Sequence, residues 1–151
     1  MKLIKYFIQF LIITILFVIF RILGLKIASY VSSKILILIG PFFRSKKVIE
    51  TNILKAFPNL DNNILKNIVQ TMWSNYGRIL SEYVFIKKFR RSKIDKHFEI
   101  EGQEILEKIK INKEPVIFIS GHFNNFELMA MHIEKSGINL AAIYRPLNNP
   151  F

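Results

Sequence analysis

The 151-residue sequence contains no cysteine and few acidic side chains. The lack of cysteine excludes disulfide bonds and thiolate chemistry. Aspartate and glutamate total 11 residues against 22 lysines and arginines, which gives a net charge of +11. Hydrophobic residues nevertheless make up 51% of the chain. A chain that is both apolar and basic is typical of a protein at a membrane surface rather than of a nucleic-acid-binding domain.

Histidine is also scarce, with one residue at each of positions His97, His122 and His132. Their spacing matches neither the H-E-x-x-H pattern nor a Cys/His zinc pattern, so the sequence predicts no metal site. No cofactor motif is visible. Helix-turn-helix, zinc-finger and RNP patterns are missing as well, and we therefore expect no nucleic-acid partner.

The first fifty residues are apolar and basic, with eight basic side chains and one acidic side chain. Residues 6–20 are uncharged and would rise about 22 Å as a helix. Apolar neighbours and the snorkelling side chains of Lys5 and Arg21 extend this span towards the roughly 30 Å of a bilayer core. We therefore predict a transmembrane anchor over residues 1–25. A cleaved signal peptide and a buried core helix are the alternatives.

More positive charge follows this segment than precedes it. By the positive-inside rule, the bulk of the chain is then expected in the cytoplasm. Residues 36–43 combine an apolar run with two phenylalanines, and Arg44, Lys46 and Lys47 follow directly. This pattern is typical of an element at the membrane interface, and equally of a core helix of a soluble domain.

Residues 26–93 are predicted to be helical. One amphipathic helix ends before Pro58, and a second is capped by Asp61 or Asn62 and carries an apolar residue every three or four positions. Core packing is the expected role of the aromatic residues of the second helix: Trp73, Tyr76 and Tyr83. The following segment, 86–93, places five cations around one phenylalanine. It is interpreted either as a solvated or membrane-facing basic edge, or as a docking patch for an acidic partner or a phosphorylated lipid.

From residue 97 onwards, strand-like and helix-like segments alternate. Strands are predicted at 97–102, 115–120 and 138–144. Helices are predicted between them at 103–111 and 124–137, and Gly137 is the expected C′ residue of the second helix. This β-α-β-α-β order predicts an α/β unit with a partial, mostly parallel sheet. Active sites gather at the carboxyl ends of such strands, and His122 and Arg145 both lie at predicted strand ends.

His122 and Glu127 allow two interpretations. Asn124 followed three residues later by Glu127 is nearly a capping box, so helix capping alone would explain the glutamate. Alternatively, His122 is a general base whose imidazole is oriented by Glu127, and the substrate supplies the hydroxyl group. The second interpretation also accounts for the histidine.

The stretch GHFNNFELMA at residues 121–130 is followed by AAIYRPLNNP and preceded by NILKAFPNL and MWSNYGRILSEY. Taken together and in order, these segments resemble the late acyltransferases of lipid A biosynthesis, the lauroyl and myristoyl transferases of the Gram-negative inner membrane. The resemblance implies a partial acyltransferase domain over residues 26–151, helical at 26–93 and α/β at 97–151, behind the anchor at 1–25.

The resemblance further implies acyl transfer from acyl carrier protein to a hydroxyl of a Kdo-bearing lipid A precursor, without a cofactor, at the cytoplasmic face of the bacterial inner membrane. His122 would then be the base and Glu127 its orienting partner, with Arg145 and Asn125 as substrate-binding residues. The cations of residues 87–93 would suit the acidic carrier protein or the anionic glycolipid.

Two features depart from the family pattern. The usual motif is close to Gly-His-x-Gly-Asn-Trp-Glu, and here Asn124 and Phe126 replace the second glycine and the tryptophan. Asparagine tolerates the left-handed backbone of a glycine, and phenylalanine preserves the aromatic ring. The chain also resembles only about the first half of such an enzyme, so we expect either a separately encoded C-terminal half or a non-catalytic remnant that acts as a membrane-bound interaction protein. A glycerophospholipid acyltransferase is a further alternative, disfavoured by the AFPNL and YRPLNNP segments.

Overall fold

The computed structural model describes residues 2–91, 99–143 and 148–151. Within these residues the secondary structure is helical. The helices are α1 (Lys2–Ile39), α2 (Lys46–Ala56), α3 (Asn62–Glu82), α4 (Ile86–Arg91), α5 (Gln103–Asn112) and α6 (Glu127–Lys135), with 3₁₀ turns at Gly40–Phe42 and Tyr83–Phe85. The described residues form two compact units, one within Leu11–Phe85 and one within Met1–Phe10 together with Ile86–Phe151.

Helix α1 is long, apolar and interrupted at Gly24. Within the span Lys2–Phe42, the most apolar 18-residue stretch has a mean hydropathy of 2.5 and is only 6% buried, and among the described residues this span alone is long and apolar enough to cross a membrane. Such exposure is unlike that of a core helix in a soluble protein. Gly24 has φ 75° and ψ 162°, a conformation essentially restricted to glycine, so the helix is kinked there.

In the first unit, α1 and α3 approach closely at Gly77. A Cβ atom at this position would overlap the backbone carbonyl of Ser32, so a side chain would force the two helices apart. Beside this contact, the Ser33 and Ser74 hydroxyls share a hydrogen bond with an Oγ–Oγ distance of 2.7 Å. Small residues thus let the two backbones meet, and a polar pair holds them in register.

The same helix pair is antiparallel, and its other end lies near Phe20 and Arg21. Phe20 is fully buried. The Arg21 guanidinium donates to the Val84 carbonyl at 3.4 Å and lies 5.9 Å from the centre of the Phe85 ring. Phe20 is the first fully buried residue of α1, after a stretch in which most side chains are exposed.

The local helix signals are confirmed in this unit. Helix α2 ends at Ala56, before Pro58. The Asp61 carboxylate caps α3 by accepting backbone N–H groups at 2.7 and 3.4 Å, a contact worth about 1 kcal/mol. Trp73 is buried, as predicted, but the core role expected for Tyr76 and Tyr83 is wrong because these side chains are 56% and 37% exposed.

In the second unit, α5 and α6 meet at a buried histidine. His132 Nε2 donates to Gln103 Oε1 at 2.8 Å, which ties α6 to the first residue of α5. Burial, followed by the positive charge of Lys135, lowers the pKa of His132 below its ordinary value. Helix α6 ends at Lys135, and Gly137, two residues further on, has the φ of 85° expected of the predicted C′ residue.

The termini also contact each other within this unit. Asn149 Nδ2 donates to the Tyr6 carbonyl at 3.0 Å, and the Phe151 ring lies 5.6 Å from that of Phe7. The C-terminal residues 149 and 151 therefore cover part of the first turns of α1.

The predicted α/β fold is wrong for the described residues, which contain no β-strand. Within the predicted strands, residues 99–102, 115–120 and 138–143 form irregular backbone, while 97, 98 and 144 lie outside the described residues. Ile117 and Ile119 are 90% and 91% exposed instead of buried in a sheet. The physical reason is that a strand satisfies its backbone hydrogen bonds only through a neighbouring strand, and no pairing joins the segments described here.

A wide groove takes the place expected for the sheet. Its volume is about 1070 Å³, and it is lined by the segments 114–118 and 137–143 together with parts of α5 and α6. Helix α5 has nearly its predicted bounds, and helix α6 begins three residues later than predicted. The helices around the expected sheet therefore form, whereas the layer between them does not.

Candidate active site

The candidate site is the turn that joins residue 120 to α6. The backbone folds back at once after Gly121, whose carbonyl accepts the Phe123 N–H at 2.9 Å. Asn124 follows with φ 45°, in the left-handed region that few non-glycine residues adopt. This position is the one at which the family motif has glycine, and the observed φ confirms that asparagine here takes the left-handed backbone.

Helix α6 begins at Glu127, and the predicted capping box is wrong. The N-cap residue is Phe126, and no side chain caps the helix there. Asn124 lies too early in the chain, in its left-handed turn, to act as the N-cap. Glu127 instead occupies the first position of α6, where its carboxylate lies at the positive end of the helix dipole.

His122 is exposed, and its imidazole packs against an aromatic ring. The centres of the His122 and Phe126 rings are 4.4 Å apart, with the planes at 61° in an edge-to-face arrangement. This contact limits the orientations of the imidazole while one face stays open to solvent. The turn thus presents an accessible base immediately before a helix that starts with a half-buried carboxylate.

The two predicted substrate-binding residues have different outcomes. Asn125 is half-buried in the turn, and its carbonyl accepts the Leu128 N–H at 3.1 Å, which supports the first turn of α6. Arg145 lies outside the described residues. The structure therefore places His122 and Asn125 in the turn and Glu127 at the first position of the helix that follows.

An exposed histidine, an aromatic ring beside it and a helix-initial carboxylate therefore follow one another within six residues of the chain. The chain matches the family model of bacterial lipid A biosynthesis acyltransferases over residues 1–151. The protein belongs to this family. No curated protein and no solved structure gives a significant match.

Residues 86–91 of the basic segment form helix α4. Helix α4 buries Phe89 and exposes four cations, Lys87, Lys88, Arg90 and Arg91; Lys93 lies outside the described residues. The position of a phenylalanine among cations was readable from the sequence, but its burial was not. The patch is therefore a basic helix surface that covers a buried ring.

One of these cations links the basic helix to the helix of the candidate site. Arg90 forms an ion pair with Glu134 of α6. The hydrogen bond and charge of Glu134 raise the pKa of Arg90, and the Arg90 hydrogen bond lowers the pKa of Glu134. Both side chains are about half exposed, so solvent screens the pair and its contribution to stability is small.

Sequence reasoning missed the residues that hold α6 in place. His132 and Gln103 form a hydrogen bond although they are 29 positions apart in the sequence, so no local spacing reveals the contact. The Arg90–Glu134 pair is likewise a contact between distant segments. Among the described residues, no group of three or more His, Asp or Glu side chains is placed to hold a metal ion.

Proposed function

We propose that this protein transfers a fatty acyl chain from acyl carrier protein to a hydroxyl group of a Kdo-bearing lipid A precursor. The observation that carries the proposal is the family match over residues 1–151. The order of His122 and Glu127 in the sequence, which resembles the motif of the family, supports it. The exposure of His122 supports it, because the hydroxyl of a large glycolipid must reach the imidazole.

In the proposed reaction, His122 takes the proton of the acceptor hydroxyl as its oxygen attacks the thioester carbonyl. The tetrahedral intermediate then expels the thiolate of the carrier, which takes the proton back from the imidazolium. One ester bond forms and one thioester bond breaks, so no cofactor is required. Glu127 orients the imidazole and stabilises its positive charge.

Further residues are assigned to substrate and partner binding. We propose that Asn125 and Arg145 contact the substrate near the base. The exposed cations of α4 suit the acidic carrier protein or the anionic glycolipid. The acyltransferase domain spans residues 26–151 in this proposal.

The proposed location is the cytoplasmic face of the bacterial inner membrane, with residues 1–25 as a transmembrane anchor. The long apolar α1 and the lipid substrate of the family support an anchor. The excess of basic residues after it supports the cytoplasmic orientation.

A non-catalytic, membrane-bound interaction protein is the second candidate. The exposed isoleucines Ile117, Ile119 and Ile143 favour it, because they form an apolar surface of the kind that a partner polypeptide covers.

The test is His122→Ala in a strain that lacks its own late acyltransferase. Lipid A acylation, measured by mass spectrometry, is expected to fall about 10²–10⁴-fold because the general base is lost. Glu127→Gln is expected to lose most activity, and His97→Ala, a histidine outside the motif, serves as the matched control. Unchanged acylation by His122→Ala would contradict the mechanism. No acylation by the unaltered protein would favour the interaction protein.

A further inference from the structure

The part of α1 that follows Gly24 carries an exposed face of mixed character. Ile27, Tyr30 and Leu38 are 55%, 59% and 74% exposed and recur at helical spacing, so they share one side of the helix. Lys26 and Lys34 are exposed on the same side. The Lys34 ammonium lies 5.5 Å from the centre of the Tyr30 ring, so the cation lies over apolar surface.

The turn after α1 continues this face with two phenylalanines. Phe42 and Phe43 are 87% and 75% exposed, which is inconsistent with the core-helix interpretation of residues 36–43 for these two side chains. Their exposure is imposed by packing on the other side of the turn. Gly40 is buried so closely against the Trp73 ring that a Cβ atom there would overlap it. The turn is therefore fixed to α3 with its phenylalanines directed outward.

The charge around the phenylalanines has one sign. Arg44, Lys46 and Lys47 are all exposed, and no acidic residue precedes Glu50 in the sequence. Glu50 lies 3.6 Å from Lys46, so its negative charge offsets one of these cations. Exposed aromatic side chains and an excess of cations are the features of a protein surface that binds at the boundary between the acyl chains and the anionic headgroups of a bilayer.

We propose that residues 26–47 dock on the surface of a bilayer that contains anionic lipids, as a second membrane contact beside the anchor. The apolar side chains of the exposed face, with Phe42 and Phe43, enter the acyl boundary, and the cations contact phosphate groups. The kink at Gly24 supplies the change of direction between a spanning helix and one that lies along the surface. This inference rests on the anchor of the proposed function, because the anchor holds residue 26 near the headgroups.

The test uses the natural lack of cysteine to place one nitroxide label at a time on the full chain. Phe42→Cys reports on docking. Phe57→Cys, a phenylalanine of the same unit that is also exposed, is the matched control, and Ile12→Cys reports on the anchor. Each labelled protein is reconstituted into phosphatidylethanolamine vesicles containing phosphatidylglycerol, and the relaxation of the label by oxygen is compared with that by a water-soluble nickel chelate.

The label at Phe42 is expected to favour oxygen over nickel several-fold more than the label at Phe57, and the label at Ile12 more strongly still. Removing phosphatidylglycerol, or adding Lys46→Glu and Lys47→Glu, is expected to shift the label at Phe42 towards the control. Nickel accessibility at Phe42 equal to that at Phe57 would overturn the docking proposal, as would protection from both reagents, which indicates burial by protein. Water exposure at Ile12 would overturn the anchor itself, whereas lipid exposure at Ile12 with water exposure at Phe42 overturns only the docking. Circular dichroism of each variant verifies that the helices are retained.

Discussion

Residues 46–85 and residues 114–143 both carry many large apolar side chains, yet the first region buries more of them. In the first region, Leu65 and Trp73 are buried against neighbouring helices. In the second, Ile117 and Ile143 are almost fully exposed beside a groove of about 1070 Å³. The difference follows from the backbone, because a helix closes its hydrogen bonds within itself and a strand does not.

Helix α6 is the exception within the second region. It is held by the buried Ile133 and by the hydrogen bond from His132 to Gln103, and its first residue is the candidate catalytic Glu127. The site therefore depends on one well-packed helix beside an exposed apolar segment. Three substitutions of decreasing expected effect test this contrast.

The largest effect is expected from a matched pair of isoleucines. Ile133→Ala removes buried side-chain volume and is expected to lower the free energy of unfolding by about 2–5 kcal/mol. Ile117→Ala removes the same atoms from an exposed site and is expected to change it by less than about 0.5 kcal/mol. Denaturant unfolding of both full-length variants in the same detergent measures the difference. Equal losses would mean that residue 117 is packed against something.

The next effect concerns the contact between α1 and α3. Gly77→Ala would stabilise a free helix by about 1 kcal/mol. Here, overlap with the Ser32 carbonyl is expected to reverse the sign and to cost about 1–3 kcal/mol. The melting temperature, followed by circular dichroism, is the measurement, and Thr71→Ala on the exposed face of α3 is the control. A higher melting temperature for Gly77→Ala would contradict the close approach of the two helices.

The smallest effect is a pH dependence of α6. The pKa of His132 is lowered from its ordinary value of 6.5, so the unfolded chain binds a proton more readily than the folded one. Stability is therefore retained above about pH 6.5 and is lost as the pH falls from there towards the folded pKa. Unfolding compared at about pH 7.5 and about pH 5.5 should show a smaller loss for His132→Gln than for the unaltered chain. Identical losses would show that the histidine is not responsible.

The sequence predicted those parts of the fold whose determinants are local. Asp61 as a cap, Pro58 as a stop and Gly137 as a terminator each act within one helical turn, and the structure confirms all three. The strand at 115–120 was wrong because a continuous apolar run records a tendency to be buried but does not supply the neighbour that buries it. The buried position predicted for Tyr76 was wrong for a related reason. Its helical spacing assigned it to the apolar face of α3, but spacing does not show whether a neighbouring helix covers that part of the face.

In the candidate site, too, the local features could be predicted from the sequence and the contacts in space could not. The spacing of His122 and Glu127 was visible in the sequence, and the left-handed backbone of Asn124 was anticipated from the glycine it replaces. The edge-to-face contact between His122 and Phe126 and the support of α6 by Gln103 were not, because they depend on how the turn and two distant helices are arranged in space.

The contact at Gly77 also bears on the medium in which the first unit can assemble. Burial of aliphatic side chains drives association only in water, whereas close backbone packing with a serine–serine hydrogen bond also operates among lipid tails. The contact between α1 and α3 includes both kinds of interaction. Phe20 is buried near one end of this contact, and Ser33 and Ser74 form their hydrogen bond near the other. A helix pair of this kind can keep the same register among headgroups, acyl chains or water. It therefore suits a protein whose first helix is long and apolar enough to extend from water into a bilayer.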